Sequence, residues 1–224
     1  MREIMDTEKL KILTSQLKNP HGERGLEVAE MMYQTNLSMI QHALQYLDIE
    51  DGNTVLEIGY GNGKHISLLF EKTPSIFYQG LEISPLMHEQ ATIENQKQIL
   101  NQSVNLQLYN GKHIPFSEAF FDRIFTVNTI YFWEFPELFL KELHRILKLG
   151  GRLTISFIEE NFMKKMPFTH FGFTYYNKHK INRLLKEIPF EMVDYQTQKE
   201  NIKSKMGEWV EREFSTVSLI KTKM

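Results

Sequence analysis

Residues 55–63 read Val-Leu-Glu-Ile-Gly-Tyr-Gly-Asn-Gly, a short apolar segment that runs directly into a loop with three glycines. The apolar residues predict a buried strand, and residues 65–72 predict the helix that follows the loop. Glycines between a strand and a helix let the backbone approach a ligand closely, at the carboxyl end of the strand. This strand, loop and helix therefore predict a nucleotide-type ligand site in an α/β fold.

Strands and helices alternate along the chain on the carboxyl side of this loop. Further strands are predicted at residues 76–82, 104–109, 121–128, 152–158, 190–198 and 214–221. Helices are predicted at residues 84–100, 137–147 and 178–187, the second of them ended by Leu149-Gly150-Gly151. Such alternation indicates a mostly parallel sheet with helices on both faces. We therefore expect an α/β, Rossmann-like, doubly wound fold with seven strands, in which the last two form an edge hairpin with an antiparallel final strand.

The first 50 residues have a different pattern. Apolar residues recur at helical spacing there, with one break at Asn19-Pro20-His21-Gly22. We expect residues 1–50 to form a helical cap and residues 51–224 to form the α/β domain as one globular unit. The opening residues lack an uninterrupted apolar region, so they do not resemble a signal peptide.

Composition excludes several classes of protein. Hydrophobic residues make up 42% of the 224 residues, which is enough for a sizeable core and argues against disorder. The net charge is -2, so the chain does not have the excess of basic residues that is typical of proteins that bind nucleic acid. The absence of cysteine excludes disulfides, zinc–thiolate sites and a cysteine nucleophile. No apolar run approaches the ~20 residues that span a bilayer, so we expect a soluble, cytoplasmic protein.

The histidines do not suggest a metal centre. The eight of them form no H-E-x-x-H motif and show no paired ligand spacing, so no metal site is predicted.

The spacing of the glycine loop separates two kinds of ligand. A dinucleotide fingerprint, G-x-G-x-x-G, would need a glycine where Lys64 stands, because the third glycine, Gly63, comes one residue early. Glu57 lies two residues before the first glycine, Gly59, and would repel a pyrophosphate. A carboxylate at this position suits a ligand that carries an ammonium and a sulfonium. The pattern disfavours NAD.

The loop resembles the first motif of class I S-adenosylmethionine-dependent methyltransferases, and other segments match that family in the same order. Residues 110–116 are similar to its acid-Ala-x-x-Leu-Pro-Phe segment, and residues 121–133 to its fourth strand and the loop after it. Residues 143–153 resemble its R-x-L-K-P-G-G segment, with Leu149 in place of the proline. The resemblance covers residues 54–158 and is closest to the type 11, ubiquinone/menaquinone C-methyltransferase-like group.

The resemblance implies S-adenosyl-L-methionine as cofactor and a set of residues that bind it. Glu82, which ends the second strand, is expected to accept hydrogen bonds from the ribose hydroxyls. Asn110 stands where the family has an aspartate that accepts from the adenine amino group, and an amide oxygen can also accept. The full predicted set is Glu57, Gly59, Tyr60, Gly61, Asn62, Gly63, Glu82, Ile83, Asn110, Gly111, Lys112, Asn128 and Thr129.

The expected reaction is methyl transfer to a carbon, oxygen or nitrogen atom of a small molecule. Holding donor and acceptor in line lowers much of the barrier, and a general base is needed only if the acceptor must lose a proton. We see no catalytic dyad, and expect Tyr131 and Trp133 to line the acceptor pocket. The aromatic-rich residues 161–176 are expected to form a lid over an aromatic or apolar acceptor. Tyr33, Asn36 and Met39 belong to the helical region that would cap the cofactor.

Three alternatives stay open. A methyltransferase-like protein could bind the cofactor without turnover, which the Asn110 substitution favours. An NAD-type oxidoreductase is disfavoured by Glu57 and Lys64. Methylation of exocyclic amines in RNA is disfavoured because Asn128-Thr129-Ile130-Tyr131 replaces the Asn/Asp-Pro-Pro-Tyr/Phe tetrapeptide. No oligomeric state is predicted.

Overall fold

The computed structural model describes residues 6–203 and 207–223. The first five residues of the predicted cap, the predicted domain's last residue and residues 204–206 lie outside these ranges. Within the described residues the strands form one sheet in the order β3-β2-β1-β4-β5-β7-β6. The strands are β1 (Thr54–Ile58), β2 (Phe77–Glu82), β3 (Val104–Leu108), β4 (Phe121–Val127), β5 (Leu147–Ile158), β6 (Phe190–Lys203) and β7 (Trp209–Lys221).

Strands β1 to β5 are parallel to one another, and β7 is antiparallel to both β5 and β6. The predicted seven-stranded α/β fold with an antiparallel final strand is therefore confirmed. Strand β1 lies between β2 and β4, with Val55 paired to Tyr78 and to Arg123. Because β1, β2 and β4 run in the same direction, their carboxyl ends meet at one edge of the sheet.

Helices cover the sheet on both faces, as expected for short strands that are buried on both sides. They are α1 (Thr7–Lys18), α2 (Gly22–Leu47), α3 (Ile66–Lys72), α4 (Pro85–Glu94), α5 (Gln96–Leu100), α6 (Pro136–Ile146), α7 (Glu160–Met163) and α8 (Lys178–Leu185), with 3-10 turns at Ile130–Phe132 and Pro167–His170. Ser84 caps α4 as predicted, because its hydroxyl accepts from the Met87 N–H at 3.2 Å. None of the helices in the described ranges is long and apolar enough to cross a membrane.

Two boundaries differ from the sequence-based expectation. Helix α6 ends at Ile146 and β5 begins at once, so Gly150 and Gly151 lie within the strand and do not end the helix. The reason is that Leu147 is buried and already pairs with Phe121 of β4. The β6–β7 hairpin is also longer than predicted. Its outer part is held by cross-strand ion pairs, including Lys199 with Glu211 at 3.5 Å.

Helix α2 packs along one face of the sheet, and its first half, together with α1, reaches the carboxyl ends of the strands. Helix α2 lies across β4, β5 and β7 and buries Met39, Ala43 and Leu47 in the main core. Helix α1 packs on the segment after β5, where the Thr14 hydroxyl donates to the Phe168 carbonyl at 2.7 Å. The two helices therefore form one wall of the space above the strand ends.

Candidate active site

A cavity of about 700 Å³ opens at the carboxyl ends of β1, β2 and β4. We call it the main cleft. It is lined by every residue of the predicted cofactor set except Gly63, namely Glu57, Gly59, Tyr60, Gly61, Asn62, Glu82, Ile83, Asn110, Gly111, Lys112, Asn128 and Thr129. Its volume lies within the range of about 300–1,000 Å³ that is usual for sites of small ligands. His113, which follows Lys112 in the chain, is exposed and does not line the main cleft.

Gly63 has a packing role that the sequence reading missed. A Cβ built at this position would lie 2.7 Å from the Ala91 Cβ of α4, and the Gly63 carbonyl accepts from Asn95 Nδ2 at 3.0 Å. The third glycine of the loop therefore lets the loop approach α4, and it faces away from the main cleft.

The first two glycines of the loop face different surroundings. Both have left-handed φ angles, +78° at Gly59 and +56° at Gly61, which non-glycine residues rarely adopt. A Cβ at Gly59 would lie 2.5 Å from the Thr129 Cγ2, whereas a Cβ at Gly61 would meet nothing within 4 Å. Gly61 thus borders open space where a ligand can approach the backbone.

Glu82 binds the glycine loop and borders the main cleft. Its carboxylate accepts from the N–H groups of Gly61 at 3.0 Å, Ile83 at 2.8 Å and Ser84 at 2.9 Å. Burial raises the pKa of Glu82 above its ordinary value, although these backbone N–H groups act to lower it. This buried carboxylate at the end of β2 has one lone pair left over, on Oε2, which can accept a hydrogen bond from a ligand hydroxyl.

Glu57 is enclosed more completely than the sequence reading anticipated. Its carboxylate lies 2.8 Å from His65 Nε2 and accepts from the Tyr78 hydroxyl at 2.5 Å. Burial, followed by the nearby Glu57 charge, raises the pKa of Tyr78, so this hydroxyl stays a donor. His65 is only 3% exposed, so it does not face solvent. Glu57 therefore lies beneath the glycine loop, and its carboxylate is already hydrogen-bonded to two side chains.

Tyr60 contributes mainly backbone to the main cleft. Its side chain is buried, and its hydroxyl lies 2.7 Å from His88 Nδ1 on α4. The Tyr60 ring packs on β2 at Gly80, which has no side chain. A Cβ at Gly80 would lie only 2.5 Å from the Tyr60 Cδ1, so this packing requires glycine. Burial raises the pKa of the Tyr60 hydroxyl, which keeps it neutral.

The Asn110 side chain does not offer its oxygen to a ligand. The amide oxygen accepts from the backbone N–H groups of Lys112 and His113, both at 2.9 Å. Because both partners are donors, this orientation of the amide is fixed, and both lone pairs of the oxygen are used. The expectation that this oxygen accepts from an adenine amino group does not fit this arrangement.

A network of polar side chains follows β4. Asn128 has a left-handed φ of +59°, and its Oδ1 accepts from the Tyr131 hydroxyl at 2.8 Å. The Tyr131 oxygen in turn accepts from the Ile158 N–H. Trp133 Nε1 donates to the Thr129 hydroxyl at 3.2 Å. Tyr131 and Trp133 both line the main cleft, and burial raises the pKa of Tyr131, which makes it a poor general base.

A second, mostly apolar cavity of about 60 Å³ adjoins the main cleft. We call it the side cavity. Both are lined by Leu17, Met32, Asn36, Asn128, Tyr131 and Phe132. The side cavity is also lined by five residues of the aromatic-rich segment, Phe162, Met163, Met166, Phe168 and Phe173. Tyr176 of that segment is instead buried in the main core.

The helical region also brings polar groups to the site. Tyr33 and Asn36 of α2 line the main cleft, whereas Met39 is fully buried behind it. Lys64, just after the glycine loop, forms an ion pair with Glu30 of α2 at 2.6 Å. The pair raises the pKa of Lys64 and lowers that of Glu30. It joins the loop to α2.

Arg212 is a functional candidate that sequence reasoning missed. This β7 side chain lines the side cavity, is 1% exposed, and donates to the Thr35 carbonyl at 2.7 Å and to the Glu200 carboxylate. Nothing in the local sequence distinguishes it from an arginine on the surface.

Across residues 6–203 and 207–223, no group of three His, Cys, Asp or Glu side chains could hold a metal ion.

Residues 56–155 match the family model described as a methyltransferase domain. The methyltransferase GfsG of Streptomyces halstedii is 28% identical over 138 residues, which are 62% of this chain and 45% of that protein. The chain spans about half to two thirds of the length of the curated relatives it matches.

Solved structures share the fold. The Haloferax volcanii protein solved in complex with the Trm112 methyltransferase activator has a TM-score of 0.74 at 14% identity, with 96% of this chain and 98% of that chain covered. The geranyl diphosphate C-methyltransferase of Streptomyces coelicolor A3(2) has a TM-score of 0.68 at 10% identity, with 93% and 87% covered.

The strand order, the glycine loop and the acid at the end of β2 define a Rossmann-like domain with a site for a nucleotide-type ligand. With the family match, residues 56–155 are a methyltransferase domain of the class I, S-adenosylmethionine-dependent type 11 kind. The closer resemblance to the ubiquinone/menaquinone group stays a prediction.

Proposed function

We propose that this protein transfers a methyl group from S-adenosyl-L-methionine to a small, largely apolar molecule. The observation that carries the proposal is the arrangement of Glu82 and Gly61. A buried carboxylate at the end of β2 is bonded to a loop glycine that borders a cleft large enough for the cofactor. The cytoplasmic location and the division into a cap (residues 1–50) and a domain (residues 51–224) are part of this proposal.

The residues of the main cleft fit this cofactor in size and in chemistry. The remaining lone pair of Glu82 would accept from a ribose hydroxyl, and the loop at Gly59 and Gly61 would lie against the methionine part. Glu57 lies beneath the loop, where its negative charge favours an ammonium and a sulfonium. Ile83, Gly111 and Lys112 would surround the adenine ring, together with Asn110.

The acceptor would enter between the main cleft and the side cavity. The aromatic and methionine side chains there favour an apolar molecule, and several of them come from the segment predicted to be a lid. Phe132 and Phe173 lie with ring centroids 4.6 Å apart at this position. Trp133 and Tyr131 complete the wall on the side of β4.

The chain would act mainly by position. When bound, the cofactor supplies an activated methyl group on sulfur and a neutral leaving group. The residues of this chain hold the two reactants close and exclude water, which accounts for a large effective molarity. Among the titratable side chains that line the main cleft, Tyr131 and His65 are buried and hydrogen-bonded, and Glu134 is ion-paired with Lys112 at 2.6 Å. This engagement favours an acceptor that is already nucleophilic.

Calorimetric titration of the cofactor-stripped protein tests the proposal. S-adenosylmethionine, S-adenosylhomocysteine and NAD are titrated in parallel into the wild type and into Gly61→Val. We expect micromolar binding of the first two, no binding of NAD, and loss of binding in the variant because valine fills the open space at Gly61. Binding of NAD alone would contradict the proposal.

Binding without turnover is the second candidate function, and the engaged oxygen of Asn110 favours it. An incubation with metabolite extracts separates the two functions. Release of S-adenosylhomocysteine supports methyl transfer. Tight binding with no release from any extract supports a binding protein.

A further inference from the structure

A chain of three hydrogen bonds leads from the backbone of β5 to α2. The Ile158 N–H can only donate, so the Tyr131 oxygen accepts from it. The Tyr131 hydroxyl then donates to Asn128 Oδ1 at 2.8 Å, which orients the Asn128 amide. Asn128 Nδ2 donates to Asn36 Oδ1 at 3.0 Å. All three bonds run from donor to acceptor in the same direction along the chain of groups.

Both ends of the Asn128 amide are used within the protein. Its second N–H is directed to the Met39 sulfur at 3.3 Å, on the same helix as Asn36. Asn36 Oδ1 is occupied by Asn128, so the Asn36 Nδ2 group is the free end of the chain of hydrogen bonds. Among the residues that the structure describes, no protein group accepts from this Nδ2.

The free end faces the place where the two cavities meet. Asn36 is half-buried and lines both the main cleft and the side cavity. Its other neighbours in the side cavity are mostly aromatic rings, aliphatic groups and methionines. Asn36 Nδ2 is not a fully buried atom, so water can accept from it in the free protein. An apolar ligand at this place would displace that water and leave the donor without a partner, whereas a ligand that offers an acceptor would bind it.

The charges of the side cavity indicate what kind of acceptor. Arg212 is the one charged residue among the described residues that line it, and its guanidinium is bonded to the Glu200 carboxylate and to the Thr35 carbonyl. The paired arginine leaves the wall without net charge. A neutral oxygen therefore suits the site better than a carboxylate does.

We propose that Asn36 is a specificity-determining residue, whose Nδ2 donates a hydrogen bond to a carbonyl oxygen of an otherwise apolar methyl acceptor. The inference rests on the proposed function, because it assigns the acceptor class of the same site. Because Asn128 Nδ2 occupies Asn36 Oδ1, the Nδ2 group of Asn36 is the one left to bind a ligand.

Three small probes of similar shape test this assignment, namely acetophenone, ethylbenzene and benzoate. Each is titrated into the wild type with and without S-adenosylhomocysteine, and the Asn36 side-chain amide is followed by ¹H–¹⁵N NMR. We expect acetophenone to bind about three- to tenfold more tightly than ethylbenzene, as one hydrogen bond would provide. It should also shift the Asn36 amide resonance downfield.

Two variants and a control separate the role of the amide from that of the fold. Asn36→Leu keeps the volume and should abolish the preference for acetophenone. Asn36→Asp can still accept from Asn128 but offers no donor, so acetophenone should bind most weakly there. Gln41→Leu removes an exposed amide from the same helix and should leave the preference unchanged.

Each result decides between explanations. Equal binding of acetophenone and ethylbenzene to the wild type, or an unchanged preference in Asn36→Leu, would overturn the assignment. Tighter binding of benzoate would overturn it in favour of a carboxylate at Arg212. Failure of S-adenosylhomocysteine to bind would count against the proposed function, while the probes measured on the protein alone still decide the role of Asn36.

Discussion

The Glu82 carboxylate and the Gly61 N–H are joined by a hydrogen bond of 3.0 Å that links the end of β2 to the glycine loop. The acid expected to bind the ribose therefore also holds the backbone against which the cofactor would lie. Ile83 and Ser84 donate to the same carboxylate, so its position is fixed before any ligand arrives. Such a preorganised group loses little conformational entropy on binding.

Replacing Glu82 should weaken cofactor binding strongly. We expect Glu82→Ala to reduce the affinity for S-adenosylhomocysteine by about 1–3 kcal/mol, because a charge-assisted hydrogen bond to the ribose is lost and the loop at Gly61 loses its acceptor. Calorimetry measures the change, and Glu89→Ala, an exposed acid on α4, is the control. A change of only a few tenths of a kcal/mol for Glu82→Ala would contradict the assignment.

Gly59 should be intolerant of alanine for two separable reasons. The φ of +78° strains any side chain by about 1–2 kcal/mol. The contact with the Thr129 methyl at 2.5 Å adds an overpacking cost of about 1–3 kcal/mol. Urea unfolding should show that Gly59→Ala is less destabilising in a Thr129→Ser background, where that methyl is absent.

Gly52 provides the matched control for this pair. Its φ is +84° and a Cβ there would meet nothing within 4 Å, so Gly52→Ala should show the backbone strain alone. If Thr129→Ser relieved Gly52→Ala as much as Gly59→Ala, the contact would not be the cause.

An aspartate at position 110 should improve cofactor binding. The single amide oxygen of Asn110 is used by the N–H groups of Lys112 and His113. A carboxylate has a second oxygen, which can accept from the adenine amino group while the first keeps the turn. We expect Asn110→Asp to raise the affinity for S-adenosylhomocysteine by about 0.5–1.5 kcal/mol. Weaker or unchanged binding by calorimetry would mean that position 110 does not contact the adenine.

Asp122 should contribute a pH-dependent part of the stability. Burial acts to raise its pKa, but hydrogen bonds from Lys148 and the Thr54 N–H outweigh burial, so the pKa is lowered below 3.8. The contribution is complete above the unfolded-state pKa and is lost as the pH falls through the lower, folded-state value. We expect Asp122→Asn to be about 1–2 kcal/mol less stable than the wild type at pH 7.

Denaturant unfolding over a range of pH checks this expectation. The difference between wild type and Asp122→Asn should shrink as the pH falls below 3.8. Glu187→Gln, which changes an exposed acid, should show little difference at any pH. A constant difference for Asp122→Asn down to pH 2 would show that the ionised carboxylate is not the source.

The strands of the sheet could be predicted where the pattern of apolar residues within a segment was enough to identify it. The apolar segment before Gly59 and the alternation of strands and helices after it predicted the elements in their order along the chain. The structure has its seven strands in that order along the chain. The outer part of the β6–β7 hairpin could not be predicted, because Lys199 and Glu200 carry little strand preference and are stabilised by partners across the hairpin.

The candidate site shows the same division. Gly59, Gly61 and Glu82 could be placed at the cleft from the sequence, because a position at the end of a strand depends on the backbone alone; their role with a ligand stays a prediction. The Tyr78 hydroxyl on Glu57 and the Asn36 amide on Asn128 were not found, because each contact joins side chains from distant parts of the chain. Only the packed structure shows which of their atoms are left free.

Helix α2 brings to the site residues that lie outside the family match. That match covers residues 56–155, which include Glu82, Asn128 and Tyr131 but not Asn36. Under the proposed function, the acceptor wall is therefore shared between the matched domain and α2, while Glu82 and the glycine loop belong to the domain alone. A substitution at position 36 would change the preference among acceptors without altering Glu82 or the loop, so acceptor preference and donor binding can be varied separately there.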